Sequence, residues 1–115
     1  MDFDFIKQFH RNPPLAKLPR NECVEEEYQN AEKQDLRAEF FTGKNEWSLT
    51  TNKYPYNFTD NTKHYLLWFR DDKVDYSLVE ELFIGYEIGE EVVFFENLEN
   101  NRSIKGIRHI HIFVK

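Results

Sequence analysis

The sequence predicts an α+β domain: a twisted antiparallel sheet with one main helix packed on it, preceded by a helical N-terminal extension. The first observation is that residues 105–115 and three earlier segments alternate with a period of two, which is typical of strands. The second is a segment between two of these strands whose apolar residues have helical spacing. The connections between segments are short, which favours neighbouring strands in one antiparallel sheet.

The N-terminal extension is predicted to span residues 1–45 and to be helical. Apolar residues within 3–9 have the spacing of a short amphipathic helix. Asn12 precedes two prolines that end this helix, because the residue before a proline is pushed out of the helical region. Asn21 is the expected cap of a second helix over residues 22–33, whose first turns carry carboxylates where the helix dipole favours them.

The α+β core is predicted to span residues 46–115. Its loop 52–57 contains Pro55, which cannot donate to a strand ladder. The main helix is expected over residues 76–86, with Ser77 as its cap and Glu80 three residues further on. Four strands are predicted, at residues 46–51, 62–70, 91–96 and 107–114.

The last strand carries the functional prediction. His109, His111 and Phe113 share one of its faces, and the opposite face is aliphatic. Neither face suits open solvent, so the strand is predicted to lie in the sheet interior. Residues i and i+2 of a strand lie roughly 6.5–7 Å apart, so both imidazoles can address one substrate atom or one metal. The alternative is that both histidines are merely polar residues on a half-buried sheet face.

Composition limits the possible functions. The 115 residues make one domain, and 15 basic against 21 acidic residues give a net charge of −6, which argues against nucleic acid or an anionic membrane as the main partner. Cys23 is the only cysteine, so no intrachain disulfide is possible and a reducing compartment fits best. No signal peptide and no run of about 18 apolar residues is recognisable. We therefore expect an intracellular, cytoplasmic protein.

Three segments together resemble the histidine-triad (HIT) nucleotide-binding superfamily. They are the Asn-Lys-Tyr-Pro-Tyr-Asn loop at 52–57, the His-Tyr-Leu-Leu-Trp-Phe-Arg strand at 64–70 and the His-Ile-His-Ile-Phe-Val strand at 109–114. A narrower resemblance is to the fungal N-acetylglucosamine-induced protein family. It rests on the Tyr-Pro-Tyr-Asn-Phe loop at 54–58, the strand from His64 to Trp68, the Phe-Glu-Asn stretch at 95–97, Ser103-Ile104 and the final His-Ile-His. The biochemistry of that family is not established.

The HIT resemblance implies a catalytic role for three histidines. His111, in the middle position of the triad, would be the nucleophile that attacks an α-phosphorus and forms a nucleotidyl-histidine. His109 would position the leaving group or orient His111, and His64 on the adjacent strand would belong to the same cluster. Phe113 occupies the third triad position and cannot donate a hydrogen bond. This departure from the family pattern opposes proton delivery to a leaving group and favours binding without turnover.

The same resemblance implies a set of substrate-binding residues. Asn52 matches the loop residue that meets the ribose, and the aromatic rings of Tyr54 and Tyr56 would wall a base pocket. Asn97 and Ser103 are candidates for phosphate contacts, although the loop lacks the Gly-Gln-Ser run of the family. The alternative for the tyrosines is core packing, and for Asn52 it is ordinary loop chemistry.

Three functional hypotheses follow. The first is a HIT-like protein that binds a nucleotide or phosphosugar, with nucleotidyl hydrolysis or transfer by His111 as its possible chemistry and with no cofactor or metal. The second is a zinc enzyme in which the three histidines are the ligands. The third is a non-catalytic structural or interaction module of a larger assembly, with residues 1–45 as the segment that contacts a protein partner.

Overall fold

The computed structural model of the protein describes residues 1–30, 46–70, 74–83, 91–98 and 108–115. The helices and strands in these ranges confirm the α+β prediction. In chain order they are α1 (Phe3–Lys7), α2 (Glu22–Asn30), β1 (Trp47–Thr51), β2 (Lys63–Phe69), α3 (Tyr76–Phe83), β3 (Val92–Phe95) and β4 (Arg108–Val114).

The four strands form one antiparallel sheet in the order β1-β2-β4-β3. The last strand therefore lies between two neighbours, as its two buried faces predict. Its register places His111 opposite Leu66 of β2 and opposite Phe95 of β3. Because directly paired residues point to the same side of a sheet, this register separates the side chains of all four strands into two faces.

The aliphatic face of the sheet packs against the main helix. Leu67, Ile110 and Ile112 have no exposed surface, and they form one core cluster with Val79 and Phe83 of α3. The prediction that the main helix covers one sheet face is confirmed. Burying an aliphatic side chain of this size stabilises the fold by about 1.5–3 kcal/mol, so this cluster is a principal source of stability.

The opposite face carries the three histidines of the sheet, and we call it the histidine face. Helix α1 packs on it, because Phe3 and Ile6 form a second core cluster with Phe113 and neighbouring aromatic residues. Asp2 caps this short helix by accepting a hydrogen bond from Phe5 N at 2.9 Å. Phe113, which stands in the third triad position, is therefore a core residue beneath α1.

Backbone hydrogen bonds hold the first eleven residues at both ends. Thr59 N donates to the Met1 carbonyl at 2.7 Å, and Phe3 N donates to Asp60 Oδ2 at 2.9 Å. At the other end, Arg11 N donates to the Phe94 carbonyl at 2.8 Å, on the edge of β3 that faces away from β4. The N-terminal residues thus close one edge of the sheet as well as one part of its histidine face.

The helix caps agree with the sequence in one case and differ in another. Asn21 caps α2 as predicted, since its Oδ1 accepts from Cys23 N at 3.0 Å. The prediction that Ser77 caps α3 is wrong, because Asp75 Oδ1 accepts from both the backbone N–H and the hydroxyl of Ser77. A carboxylate just before the helix is an acceptor for two donors and is also favoured by the helix dipole.

Several predictions fall outside the described residues. They concern the last turns of the second and main helices, the boundary near residue 45, the turn at 71–73 and the start of the last strand at Ile107. The division into an extension and a core therefore stays a prediction. Among the described helices, none combines the length and the apolar character that a membrane crossing needs.

Candidate functional site

The structure brings three sequence-predicted histidines together on the histidine face. His64 comes from β2, and His109 and His111 come from β4; their exposed fractions are 6%, 8% and 4%. His64 Nε2 and His111 Nδ1 are 2.8 Å apart, so the two rings share a hydrogen bond. The ring of His109 lies 5.2 Å from that of His111 and packs on Trp68 at 4.6 Å. All three imidazoles are thus inside the protein.

Donors around His64 determine which of its nitrogens holds the proton. Tyr56 N–H, which can only donate, points at Nδ1 over 3.3 Å, and this contact decides the tautomer, because Asn52 Nδ2 lies 3.2 Å from Nδ1 and 3.3 Å from Nε2. The Asn52 amide has a fixed orientation, because its Oδ1 accepts from Tyr54 N at 2.9 Å. Nδ1 of His64 must therefore accept, and a neutral His64 carries its proton on Nε2.

The direction of this hydrogen bond continues into His111. Because His64 Nε2–H donates, His111 Nδ1 accepts and the proton of His111 resides on Nε2. The Asn97 amide group lies 3.2 Å from this Nε2 and 3.2 Å from the Tyr56 hydroxyl, with Nδ2 toward both. In this orientation the Nε2–H of His111 and the Nδ2–H of Asn97 are two donors that face each other. A half-turn of the Asn97 amide places Oδ1 opposite both His111 Nε2 and the Tyr56 hydroxyl, so that each contact has one donor and one acceptor. The result is one directed chain from Tyr56 N–H to the Asn97 oxygen.

Burial keeps the two linked imidazoles neutral. It is the largest cause that lowers the pKa of His64 and of His111 well below the usual value, since a charged ring would lose its hydration. Neighbouring charge lowers both pKa values further: for His64 it comes from Arg20 and then His109, and for His111 from His64, His109 and then Arg20. Burial also raises the pKa of the Tyr56 hydroxyl. The site therefore presents neutral hydrogen-bonding groups near neutral pH.

Aromatic stacking fixes the plane of the His111 ring. Tyr56 stacks on it with ring centroids 5.5 Å apart and an angle of 13° between planes. Phe95 stacks on it at 5.8 Å and 23°. Such contacts are worth about 0.5–1.5 kcal/mol each beyond the area they bury, so the direction of Nε2–H is well determined.

Arg20 is a member of this site that the sequence interpretation missed. Its guanidinium carbon lies 4.2 Å from the ring centre of Tyr28 and 5.2 Å from that of Tyr56. Its Nε donates to the Tyr54 carbonyl at 2.8 Å, and its Nη1 pairs with Glu25 Oε2 at 3.2 Å. No local pattern marks this residue as part of the site, because its contact with the Tyr54 carbonyl comes from a loop 34 residues further along the chain.

The other two predicted site residues are Tyr54 and Ser103. The Tyr54 ring packs on Tyr28 at 5.3 Å and does not take part in the stack on His111. Ser103 lies outside the described residues. Tyr54 also lines an open depression together with Cys23, Glu26, Glu27 and Asn30.

The arrangement of the histidines bears on the zinc hypothesis. Within the described ranges, no group of three or more His, Cys, Asp or Glu side chains is arranged to hold a metal ion. The reason is visible in the linked pair, because His64 Nε2 and His111 Nδ1 point at each other and share one proton. A tetrahedral zinc site would need both nitrogens to direct lone pairs at one point.

Comparison with known proteins places these observations in context. No family model matches the chain. The chain is similar to N-acetylglucosamine-induced protein 1 of Candida albicans, with 27% identity over 133 aligned positions that include 99% of this chain. The likeness to that fungal family is supported. The chain spans 51% of the length of this relative, so it corresponds to about half of it.

A solved structure shares the fold. The crystal structure of HTC1 aligns with a TM-score of 0.64 over 98% of this chain and 84% of its own. The sequence identity is 17%, so the match concerns the fold alone.

Proposed function

We propose that this chain is a HIT-like domain that binds a nucleotide or a phosphosugar on its histidine face. The observation that carries the proposal is the 2.8 Å contact between His64 Nε2 and His111 Nδ1 next to the Tyr56 N–H donor, from which we assign the proton of His111 to Nε2. An N–H group of this kind donates to a phosphoryl oxygen, and the neighbouring Tyr56 and Phe95 rings hold it in place. The motif resemblance to the HIT superfamily supports the same interpretation.

Each remaining residue of the cluster has a distinct role in this proposal. His64 accepts from Tyr56 and donates to His111, so it sets the orientation of the donor without touching the ligand. Asn52 holds the His64 ring in place through a contact with Nδ1, and the Asn97 amide contacts His111 Nε2 when no ligand is bound. The ligand must displace the Asn97 amide from Nε2, so binding requires a side-chain movement at the end of β3.

Nucleotidyl transfer by His111 is the catalytic extension of this proposal. In that reaction, Nε2 attacks the α-phosphorus, the bond to the leaving-group oxygen breaks, and water later cleaves the P–N bond. The resting direction of the hydrogen-bond chain opposes this step, because attack requires His111 to carry its proton on Nδ1 and not on Nε2. His64 Nε2 would then accept from His111, so the proton of His64 would lie on Nδ1, where it would face the Tyr56 N–H donor. Phe113, fully buried, supplies no proton to the leaving group. We therefore expect binding with slow or no turnover.

Calorimetric titration of matched ligand pairs tests the proposal. Adenosine 5′-monophosphate is compared with adenosine, and N-acetylglucosamine 6-phosphate with N-acetylglucosamine; the sugar is chosen from the name of the Candida relative. The site variant is His111→Asn, in which Oδ1 still accepts from His64 while the Nε2–H donor is removed. The matched control is His10→Asn, the same substitution at an exposed histidine that bonds Phe94 N at the far edge of β3.

The expected result is binding of at least one phosphorylated ligand by the parent and by His10→Asn. His111→Asn should weaken it by about 10-fold or more, because a hydrogen bond to a charged group is worth about 1.5–3 kcal/mol. Equal affinity of His111→Asn and the parent would refute the role of Nε2–H. Failure of the parent to bind any of the phosphorylated ligands would refute the function itself.

A second candidate function is a non-catalytic interaction module. The observation that favours it is the depth of the cluster, since the three histidines are at most 8% exposed and α1 packs over Phe113. On this alternative the imidazoles stabilise a repurposed sheet, and the first 45 residues provide the contact with a protein partner. It predicts no ligand binding in the titration above, together with unfolding or clear destabilisation when His64 or His111 is replaced.

A further inference from the structure

We propose that Arg20 is the residue that recognises the phosphate of the ligand and that Glu25 competes with the ligand for it. The inference rests on the proposed function and deepens it. Arg20 belongs to the N-terminal segment, which the motif resemblance does not cover, and it reaches the site by packing on the Tyr56 ring, which also stacks on His111. This places a fixed positive charge against the Tyr56 ring, which is the ring that stacks on His111.

The guanidinium is held in position before any ligand arrives. Its Nε–H bond to the Tyr54 carbonyl fixes one edge, and the Tyr28 and Tyr56 rings lie against its planar group. Arginine stacked on aromatic rings loses little further freedom when it forms a hydrogen bond. The side chain is 12% exposed, so its interaction with an anion is less screened than that of a surface arginine.

The hydrogen bonds of Arg20 leave capacity for an anion. An arginine has five N–H donors, and the bonds described for this one use Nε–H and one Nη1–H. The partner of Nη1 is Glu25, whose side chain is 42% exposed and which also accepts from Gln29 at 2.8 Å. Because the Glu25 side of this pair is open to water, its charge is screened and the pair is worth only about 0.2–1 kcal/mol. A phosphate, which carries more charge and pairs with a guanidinium in bidentate fashion, can replace the Glu25 carboxylate.

The charge balance of the site points to the same ligand chemistry. Burial and neighbouring charge keep the His64 and His111 imidazoles neutral, so neither supplies positive charge to an anion. The chain as a whole carries −6 and repels anions at long range. A phosphorylated ligand therefore needs a local cation at the histidine face, and the geometry assigns this role to Arg20.

Two substitutions with opposite expected effects test the inference. Arg20→Gln should weaken binding of adenosine 5′-monophosphate by about 10–100-fold and leave adenosine unchanged, since only the phosphorylated ligand uses the charge. Glu25→Gln should tighten adenosine 5′-monophosphate binding by about 1.5–5-fold, because it removes the competing carboxylate. The control is Arg108→Gln, which replaces an arginine that pairs with Glu96 and lies on the aliphatic face; it should not alter the affinity.

The outcomes separate this inference from the function on which it rests. If the parent protein binds neither phosphorylated ligand, both the proposed function and the role of Arg20 are overturned. Parent protein that binds, with Arg20→Gln unchanged, overturns the role of Arg20 alone. A merely structural Arg20 would lower the affinity for adenosine and its phosphate alike, and Glu25→Gln would then weaken binding as well. If Arg20→Gln fails to fold, Glu25→Gln in the folded protein still decides, and an affinity no tighter than that of the parent overturns the inference.

Discussion

Mild acid should destabilise this protein through the linked histidine pair. In the folded state, burial holds the pKa of His64 and His111 well below 6.5, whereas both rings regain an ordinary pKa near 6.5 on unfolding. Below that pH the unfolded chain binds more protons than the folded one. The contribution of the neutral pair is therefore complete above about pH 7 and is lost as the pH falls below 6.5.

The size of the effect follows from the unfolded state. At pH 5.5, one unit below the ordinary value, protonation of one unfolded imidazole lowers the free energy of unfolding by about 1.4 kcal/mol. Two rings that stay neutral in the folded protein give a loss of about 3 kcal/mol between pH 7.5 and 5.5. This is a large part of the stability of a small domain, which is about 5–15 kcal/mol. Carboxylates contribute little in this window because their ordinary pKa values are lower.

Urea unfolding followed by tryptophan fluorescence at pH 7.5 and 5.5 measures this difference. The measurement is made in a His10→Asn background, because burial also lowers the pKa of His10 and would add to the acid loss. His111→Asn in this background removes one titrating ring and should reduce the pH-dependent loss by about half, whatever its own effect on stability at pH 7.5. A free energy of unfolding that is equal at both pH values would contradict a neutral buried pair.

The remaining predictions concern the two sheet faces and the N-terminal contacts. Ile110→Asp should prevent folding, with a loss above about 4 kcal/mol, because it places a charge where no surface is exposed; a cooperative melting transition like that of the parent would contradict this. Arg108→Ala should leave a folded protein that is less stable by about 1–3 kcal/mol, since it removes the two hydrogen bonds that Arg108 donates to the buried Glu96 carboxylate; unchanged urea midpoints would refute the pairing. The hydrogen bond from the Thr62 hydroxyl is the largest cause that lowers the pKa of Asp60. The ionised carboxylate therefore stabilises the fold above about pH 4, and this contribution is lost in stronger acid. Asp60→Asn should therefore flatten the stability profile between pH 4.5 and 3, and an equally steep profile would show that the Asp60 contacts are not maintained.

The strands and their faces could be predicted because period-two alternation is a local property. The same pattern that separates Ile110 from His111 in the sequence separates them in the sheet, and two faces that do not suit open solvent are sufficient to place β4 in the interior. The position of α3 followed from its helical stripe. The residue that caps α3 could not be predicted, because Asp75 and Ser77 both have side chains suited to a cap and only the backbone path decides between them.

The histidine cluster could be predicted as a group, but its hydrogen-bond direction could not. That direction depends on Tyr56 N–H, which reaches His64 only after the 52–62 loop has folded over β2. Arg20 was missed for a similar reason, since its contacts join the start of α2 to the same loop. The packing of α1 on Phe113 likewise joins opposite ends of the chain, and amphipathic spacing alone does not say which sheet face a helix covers.

The measurement that most directly tests the proposed site is a long-range ¹H–¹⁵N correlation spectrum of the four histidines, with and without adenosine 5′-monophosphate or N-acetylglucosamine 6-phosphate. We predict that His64 and His111 both carry their proton on Nε2 at pH 7.5. We also predict that ligand shifts the His111 Nε2 resonance and leaves the His10 signals unchanged. A proton on His111 Nδ1, or a His111 Nε2 resonance that neither ligand moves, would contradict phosphate recognition by the histidine face.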